Sequence, residues 1–326
     1  MSKIALSPVV LGAALAALLS ASPAAAAPTK VWVSNAGANS AACGAIATPC
    51  LTFQQAHDNV AAGGEIGILT PGDYGALLIS KAVSIINESS GEAGISGSAN
   101  NNAIAVDAGV GSVVGLRGLT LDGRGVATQG ILIVTVSALH IQNCVIRNFE
   151  SQSESWGILH EAFADSQIFL SDTIIFNNGG NADTGGILLE PQGTSTVKLV
   201  LDRVHLENNV VGIRITGFPT IGDGARAVMR DSVVSGNASH GIQAFTSGNH
   251  GAAFITVERS LVTDNAGTGV LANGPRARAI LGDTTIFRNG TGVSAVGGGQ
   301  VNSFGNNRNN NNIGAEGVAT NSLAQF

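Results

Sequence analysis

Apolar and polar residues alternate in short stretches along this chain, and the stretches recur at a nearly fixed interval. Each repeat has a short apolar run, an asparagine, a few loop residues, and then glycine followed by Ile or Val. The repeat asparagines are Asn148, Asn177, Asn208, Asn237, Asn265 and Asn289. The glycines are Gly157, Gly186, Gly212, Gly241, Gly269 and Gly292, with an earlier copy at Gly130. Self-similarity at such a period predicts a stacked repeat protein.

Within each repeat the alternation predicts strands with one buried face. Counting back four and two residues from each asparagine gives Cys144, Ile146, Thr173, Ile175, Val204, Leu206, Val233, Ser235, Leu261, Thr263, Thr285 and Phe287 as inward positions. Counting on by one residue from each glycine gives Ile131, Ile158, Ile187, Ile213, Ile242, Val270 and Val293. The asparagines are predicted to occupy corners, where a left-handed backbone is tolerated and stacked amides can hydrogen-bond between rungs.

The N-terminus has the pattern of a secretory signal. Lys3 precedes an apolar run over residues 4–19, and Ala24-Ala25-Ala26 supplies a small-residue cleavage pattern. The alternative is an uncleaved membrane anchor, because the run approaches the roughly 18 residues that can span a bilayer. Pro8 within the run favours cleavage, which predicts a secreted or periplasmic protein with no membrane insertion afterwards.

A strand at Val31-Trp32-Val33-Ser34 and one short helix are predicted before the repeats. Thr52 is placed to cap the helix, with Gln55 reaching back to it. The predicted buried face holds Phe53, Ala56, His57 and Val60, and Gly63-Gly64 ends the element. We expect this helix to cover the open first rung of the stack.

The cysteine positions predict a disulfide, and the net charge argues against one class of partner. Cys43 and Cys50 are close together in an exported chain, which predicts a local disulfide, whereas Cys144 is predicted to be an inert core residue. The formal net charge is −6, and no cluster of Lys and Arg is visible along the sequence. This argues against nucleic acid as a partner.

At this point the chain resembles the secreted right-handed parallel β-helix family, the pectin-lyase-like superfamily. The first matching segment is Val31-Trp32-Val33-Ser34, Gly37, Pro49-Cys50-Leu51-Thr52-Phe53-Gln54-Gln55-Ala56, Gly63-Gly64-Glu65-Ile66 and Pro71-Gly72-Asp73-Tyr74. The second is the series of Asn/Gly coils from Gly115 to Asn307. The resemblance implies an all-β, single-stranded right-handed parallel β-helix with a short N-terminal capping helix. Members of this family cleave, epimerise or bind acidic polysaccharides, and others are adhesins or tail-spikes.

The predicted organisation is a signal peptide over 1–26, a strand, loop and capping helix over 27–64, a β-helix over 65–316 and a loose tail over 317–326. About nine or ten rungs are expected, spaced at roughly 4.8 Å.

The catalytic signatures of the enzymatic branches are mostly missing. Ser239-His240-Gly241 imitates one fragment of the polygalacturonase pattern, but the Asp-Asp pair and the Arg-Ile-Lys segment are absent. The stretch Gly274-Pro275-Arg276-Ala277-Arg278 does not match the arginine motif of the lyases, and the Asp-Pro-His-Asp of the epimerases is missing as well.

One group of outward residues forms the best candidate site. Glu161 and Glu190 fall at equivalent positions of adjacent rungs, so their carboxylates are expected about 5 Å apart, the separation used by retaining glycosidases. Arg214 projects from the next rung on the same face, and Trp156 and Phe218 are candidate sugar-binding aromatics. The alternative is that these are solvated surface residues, with Arg214 neutralising its neighbours.

His160 is predicted to be a core histidine rather than a base, and no His/Cys/Asp spacing matches a zinc site. No cofactor is predicted, although the two glutamates together with loop oxygens suit calcium.

The sequence therefore favours non-catalytic recognition of an extracellular or envelope polysaccharide along one face. The alternatives are a polysaccharide lyase or glycoside hydrolase acting on uronic-acid-containing glycans, using Glu161, Glu190 and Arg214, and a structural or adhesive surface protein.

Overall fold

Three faces of parallel strands surround one apolar core in the computed structural model, which describes residues 26–151 and 154–325. The predicted signal peptide is outside the described residues, apart from Ala26. The fold is the all-β parallel solenoid that the repeats predict, with a single helix among the described residues. No helix in this part of the chain is long and apolar enough to cross a membrane.

The first face, here called the glycine face, contains the strands that follow the corner asparagines. Its strands are β4 (Leu77–Ile79), the first part of β7 (Ile104–Arg117), the first part of β9 (Gln129–Gln142), β11 (Trp156–His160), β14 (Gly185–Leu189), β17 (Val211–Thr216), β20 (Ile242–Phe245), β23 (Thr268–Asn273) and β26 (Thr291–Val296). Each strand pairs in parallel with the equivalent strand of the next rung.

The second face, the long face, follows each glycine-face strand along the chain. Its strands are β1 (Lys30–Val33), β2 (Gly64–Ile68), β5 (Val83–Ile86), the second parts of β7 and β9, β12 (Ser166–Ser171), β15 (Thr196–Asp202), β18 (Gly224–Arg230), β21 (Ala252–Glu258), β24 (Ala277–Gly282), β27 (Gln300–Ser303) and β29 (Asn321–Ser322).

The third face, the short face, is a ten-stranded parallel sheet. Its strands are β3 (Gly72–Asp73), β6 (Ala93–Ser96), β8 (Leu119–Asp122), β10 (Val145–Arg147), β13 (Ile174–Phe176), β16 (His205–Glu207), β19 (Val233–Ser235), β22 (Leu261–Thr263), β25 (Thr285–Phe287) and β28 (Arg308–Asn310). From β13 to β25, a corner that contains a buried asparagine joins each short-face strand to the next glycine-face strand.

The aliphatic positions predicted on the glycine face stack one above another. Register pairs Ile131, Ile158, Ile187, Ile213, Ile242, Val270 and Val293 in sequence. All seven are at most 4 % exposed and belong to one continuous core. The predicted winding about an apolar axis is therefore confirmed.

On the short face, the predicted inward positions are wrong in the later rungs. The stacked, buried central residues are Ile146, Ile175, Leu206, Val234, Val262 and Ile286. Ser235, Thr263 and Phe287 are each one residue beyond this column, and Val233, Leu261 and Thr285 are one residue before it. The error arises because the repeat asparagines belong to two adjacent columns. In the first three rungs, Asn148, Asn177 and Asn208 occupy the left-handed corner (φ 60°, 53° and 54°), a position that Gly236, Asp264 and Arg288 take later.

In the early rungs, the asparagine that belongs to the hydrogen-bonded ladder is the residue after the predicted repeat asparagine. The members of the ladder are Asn178, Asn209, Asn237, Asn265, Asn289 and Asn312. The Asn237 amide donates to Asn265 Oδ1 at 2.7 Å, and the Asn265 amide donates to Asn289 Oδ1 at 2.8 Å. Each oxygen also accepts the backbone N–H of the previous ladder residue, so amide bonding between rungs is confirmed.

The helix, α1 (Phe53–Asn59), begins at the predicted cap. Thr52 Oγ1 accepts the Gln55 N–H at 3.3 Å, and Phe53, Ala56 and His57 are buried. The second half of the predicted capping box is wrong, because the Gln55 amide donates to Asn59 Oδ1 at 3.1 Å. Asn39 Oδ1 accepts the Thr52 N–H instead, also at 3.1 Å.

The cysteines occupy the states that the sequence predicts. Cys43 and Cys50 form a disulfide with their Cα atoms 5.0 Å apart. Cys144 is a buried free thiol, and burial raises its pKa to about 11, which makes it a poor nucleophile. At the other end, part of the segment predicted to be a loose tail forms β29, where Asn321 and Ser322 pair with Asn302 and Ser303.

Candidate functional site

A pocket of about 320 Å³ opens on the outer side of the glycine face, beneath the loop that precedes β14. Its floor is apolar: Trp156, Leu159 and Leu188 line it and, together with Val211, form a buried cluster separate from the central core. The leucines point outward from their strands, as the alternation predicts, yet they are only 2 % and 8 % exposed and pack in one cluster with Trp156 and Val211. The rim is polar, with residues Glu154, Glu161, Asn181, Asp183, Thr184, Glu190 and Arg214.

Glu161 and Glu190 lie side by side on this rim. The Glu161 N–H donates to Ile133 and the Glu190 N–H donates to His160, so both glutamates continue the ladder beyond the paired strands. Adjacent parallel strands are about 4.8 Å apart, which keeps the two side chains within reach of each other. Both side chains are half-buried. The predicted juxtaposition on neighbouring rungs is therefore present.

Burial raises the pKa of both glutamates. For Glu161, the nearby Glu190 and Glu154 carboxylates raise the pKa further. For Glu190, burial is the largest cause and Glu154 acts in the same direction, whereas a hydrogen bond from Gln192 and the charge of Arg214 oppose the shift. The two carboxyls hold protons to a higher pH than exposed glutamates, which is the property required of a general acid.

Arg214 lines the pocket, but its guanidinium already has partners. Nε donates to Gln243 Oε1 at 2.7 Å, and NH2 donates to Asp183 Oδ1 at 3.1 Å. Its side chain is 19 % exposed, whereas that of Asp183 is 83 % exposed. Arg214 is therefore a fixed, partly neutralised element of the rim rather than an unpaired anion clamp.

The two aromatic candidates do not act together. The Trp156 ring is 2 % exposed and forms part of the floor, so the exposed stacking platform expected of it is not present. Phe218 is 42 % exposed and lies edge-on to His250, with the ring centroids 4.7 Å apart. Phe218 is not among the residues that line the pocket.

Burial lowers the pKa of two histidines near the pocket. His160 faces the core, its Nε2 lies 2.7 Å from Ser166 Oγ, and burial lowers its pKa to about 4. His160 Nδ1 has no hydrogen-bond partner among the described residues. His240 accepts the Thr268 N–H at Nδ1, and burial followed by the charge of Arg214 lowers its pKa.

The residues that the structure describes contain no group of three or more His, Cys, Asp or Glu side chains arranged to hold a metal ion. The pocket offers hydrogen bonds, an apolar floor and two carboxyl groups whose pKa values are raised by burial. Four carboxylates surround one guanidinium, so the pocket disfavours an anionic ligand.

A second surface was missed by the sequence reasoning. On the long face, Lys198, Arg226, Phe254 and Arg278 occupy equivalent positions of four successive strands. They are more than 20 residues apart along the chain, so no cluster of basic residues is visible in the sequence. Aligning the long-face strands by their alternation would have been the available signal.

Comparisons with known proteins agree with this architecture. No family profile matches the chain, and no curated protein shows significant sequence similarity to it. Among solved structures, an alginate lyase from Paenibacillus sp. str. FPU-7 is similar with a TM-score of 0.52 and 16 % identity, over 90 % of this chain and 99 % of that one. The A-module of the Azotobacter vinelandii mannuronan C-5 epimerase AlgE4 is similar with a TM-score of 0.46 and 13 % identity, over 81 % and 91 %. The winding of its strands and the similarity to the alginate lyase identify the chain as having the right-handed parallel β-helix fold.

Proposed function

We propose that this protein binds a polysaccharide outside the cytoplasm, with one sugar residue held in the glycine-face pocket. The observation that carries the proposal is the pair of half-buried carboxyls, Glu161 and Glu190, above the apolar floor. Carboxylates accept hydrogen bonds from sugar hydroxyls, and an apolar floor suits the C–H face of a pyranose ring. A concave, largely apolar site with a few convergent polar groups is the usual form of a small-ligand pocket.

The charge of the pocket favours a neutral or amino sugar. Glu154, Glu161, Asp183 and Glu190 surround a guanidinium that Asp183 and Gln243 already engage. A uronate carboxylate in this position would face repulsion without an unpaired cation to hold it. The alginate lyase shows that this fold serves an enzyme that acts on a polysaccharide, but the sugar bound here must be judged from the pocket itself.

An extracytoplasmic location is supported by two features of the chain. The first 26 residues have the pattern of an export signal, and Cys43 and Cys50 form a disulfide, a bond that persists in oxidising compartments.

Affinity electrophoresis of the mature protein tests the proposal. The protein is run in three gels, which contain a neutral glucan, chitosan or polygalacturonate. The neutral glucan or the chitosan should retard it. Glu161→Gln and Glu190→Gln together should weaken that retardation about tenfold or more, since hydrogen bonds to charged groups contribute about 1.5–3 kcal/mol each. Glu88→Gln is the matched control, because Glu88 is an exposed carboxylate away from the pocket. Unchanged retardation of the double variant would contradict this placement of the site.

Glycoside hydrolysis is the second candidate, favoured by the raised pKa of Glu161 beside Glu190, whose own shift is opposed by Gln192 and Arg214. One protonated carboxyl would protonate the leaving oxygen while the other carboxylate attacks the anomeric carbon, and water deprotonated by the first group would then hydrolyse the glycosyl–enzyme bond. A reducing-end assay on the polymers that bind would detect this activity, and either single Glu→Gln variant should abolish it. Binding without new reducing ends supports recognition alone. Absence of both binding and hydrolysis across neutral, amino and acidic polymers would favour the structural or adhesive alternative.

A further inference from the structure

Exposed apolar side chains line part of the corner between the glycine face and the long face. Phe163 and Ile221 belong to the corner loops of two rungs and are 75 % and 72 % exposed. Gly193 lies on the rung between them: a Cβ atom there would lie 3.5 Å from Phe163 Cδ1, and its carbonyl oxygen accepts the Ile221 N–H at 2.9 Å. These three residues are called the crest below. Large apolar side chains exposed in one patch are typical of an interaction surface.

An exposed carboxylate follows each of the two crest side chains. Asp165 comes two residues after Phe163, and Asp223 comes two residues after Ile221, each directly before a long-face strand. Because β15 lies between those two strands, the carboxylates are separated by two rungs, or roughly 9.6 Å. Within the part of the chain that the structure describes, neither carboxylate takes part in an ion pair.

Two arginines of the long face have the same spacing of two rungs. Arg226 on β18 and Arg278 on β24 are in register with Phe254 on β21, which lies between them. Their Cζ atoms lie 5.0 and 5.4 Å from the centroid of the Phe254 ring, a contact that holds each guanidinium without neutralising its charge. Neither arginine has an ion pair or a side-chain hydrogen bond among the described residues, so both remain available to a carboxylate.

An apolar residue follows each of these arginines by two positions. Val228 and Ile280 lie in one outward column of the long face, with Thr256 between them. Val228 is 42 % exposed, and the other two are half-buried. The corner thus presents an apolar residue followed by an acid, the strand presents a cation followed by an apolar residue, and both patterns repeat after two rungs.

We propose that this surface binds a second copy of the same chain, related by a two-fold axis perpendicular to the long face at β18. Such an axis reverses both the direction of the strands and the order of the rungs. It places Asp223 opposite Arg226 of the second copy and Asp165 opposite Arg278 of the second copy. The two reciprocal pairs follow by symmetry, because the same patch is used by both copies.

The positions of the charges along the stack satisfy this symmetry. Asp223 and Arg226 belong to the rung of β18, Asp165 lies two rungs before it, and Arg278 lies two rungs after it. A single axis therefore brings both exposed carboxylates opposite unpaired guanidinium groups, giving four ion pairs. Guanidinium binds a carboxylate in bidentate fashion, which adds orientation to the charge attraction.

The apolar residues come together in the same arrangement. Ile221 lies opposite Val228 of the second copy, and Phe163 lies opposite Ile280, because each crest side chain precedes its carboxylate by two positions and each strand residue follows its arginine by two. Gly193 lies opposite Thr256 and leaves room for it. Association therefore removes the exposed crest side chains from water, at about 25 cal/mol per Å² of apolar surface.

The size of the patch predicts a reversible dimer. The contact spans the five rungs from β12 to β24, or roughly 19 Å along the stack. Patches of this length fall among the small specific interfaces, for which a Kd of about 10–100 µM is expected.

A lipid surface fits the crest less well than a second copy does. Binding to anionic lipid is favoured by Lys and Arg beside the inserted residues, whereas Asp165 and Asp223 flank this crest. Charge complementarity within the patch itself favours self-association.

Sedimentation velocity of the mature protein at about 5–500 µM tests the proposal. The weight-average sedimentation coefficient should rise with concentration from monomer to dimer, and the rise should be smaller at high salt. Asp223→Arg and Arg226→Asp should each weaken dimerisation about a hundredfold or more, because like charges then face each other across the axis. An equimolar mixture of the two variants should dimerise again, since every pair in the mixed dimer joins opposite charges.

Asp107→Arg is the matched control and should dimerise as the wild type does. Asp107 is an exposed carboxylate at the same corner, two rungs before Asp165 and outside the patch. Wild-type protein that stays monomeric at every concentration would overturn the proposal, and cosedimentation of that monomer with phosphatidylcholine–phosphatidylglycerol vesicles would assign the crest to a membrane. Failure of the mixture to dimerise, or undiminished dimerisation of either single variant, would overturn the two-fold arrangement.

Discussion

At the scale of single residues, the buried polar side chains of the core form specific hydrogen bonds between rungs. The asparagine ladder satisfies its amides from rung to rung, and each of its oxygens also receives a backbone N–H that has no other partner at the corner. His160 is the exception among these buried groups, because one ring nitrogen lacks a partner in the described structure. Both features lead to measurable effects on stability.

Asn265→Ala is expected to destabilise the protein by about 3 kcal/mol or more. The change leaves the Asn237 backbone N–H and side-chain amide without their shared acceptor, and a buried unsatisfied group costs about 1–3 kcal/mol. Chemical denaturation measures the free energy of unfolding. Asn101→Ala, at an exposed loop position, is the control and should have little effect. Equal stability of the two variants would show that the ladder amides contribute nothing specific.

His160→Leu is expected to reduce acid sensitivity. Burial lowers the pKa of His160 to about 4, compared with 6.5 for an unperturbed histidine. The unfolded chain therefore binds more protons between these values, and stability falls as the pH decreases from 6.5 to 4, by up to about 3 kcal/mol. Leucine matches the aliphatic neighbours Ile133 and Leu189 in the same column.

Thermal unfolding at several pH values measures this effect. The slope of stability against pH between 6.5 and 4 should be shallower for His160→Leu than for wild type. Glu161 and Glu190 have raised pKa values and act in the opposite direction, losing stability as the pH rises, but they are present in both proteins. Ile133→Leu, which changes an aliphatic neighbour of His160 in the same column and no titratable group, should leave the slope unchanged.

At the scale of elements, glycine allows neighbouring rungs to approach closely. A Cβ atom at Gly212 would lie 2.4 Å from the Gly241 carbonyl oxygen, and the equivalent Gly186 faces Gly212 in the same way at 2.5 Å. The glycine of each repeat is therefore required by the spacing of adjacent strands. This explains why the Gly–Ile/Val pair is the most regular feature of the sequence.

Gly212→Ala should destabilise the protein by about 1–3 kcal/mol, because a backbone carbonyl must move to accommodate the methyl group. Gly115→Ala is the control within a strand, where the nearest atom is the rotatable Ser84 Oγ at 3.2 Å. Melting temperatures of both variants test the argument. A larger loss at Gly115 than at Gly212 would refute it.

At the scale of the whole molecule, each rung contacts mainly its neighbours. The stability of a rung is therefore expected to depend on the adjacent rungs rather than on one central nucleus. The N-terminal end is closed by α1 and by the Cys43–Cys50 disulfide. At the C-terminal end, the described residues include no helix or disulfide, and the last rung is bordered by β28, by the segment around Ala315 and Glu316, and by the two-residue β29. The two ends should therefore differ in their local opening.

Hydrogen exchange should reveal this asymmetry. Asn289→Ala removes the last strongly bonded step of the ladder before Asn312, so amides in β25, β26 and β28 should lose protection first. Amides in β1, β2 and β5, beneath the capping helix, should retain wild-type protection. A uniform loss of protection along the chain would indicate a single cooperative unit and contradict this view.

The sequence by itself determined the winding, because a repeated alternation of apolar residues, with glycine at a fixed place, leaves few folds that bury the apolar side. It also indicated the capping helix, the disulfide and the adjacency of Glu161 and Glu190. It did not determine the corner register, since Asn177 and Asn178 are both asparagine and only the backbone angles and hydrogen bonds distinguish a left-handed corner from a buried ladder position.

Only the tertiary structure decided which outward residues are accessible. Trp156 and Leu159 are buried in a cluster with Leu188 and Val211, although strand alternation directs Leu159 outward, and no local pattern encodes which outward side chains of separate rungs pack together. Stacking likewise placed Arg226 and Arg278 on either side of Phe254, although 52 residues separate the two arginines in sequence. Contacts between rungs depend on register and loop length together, and these are settled only when the whole solenoid is wound.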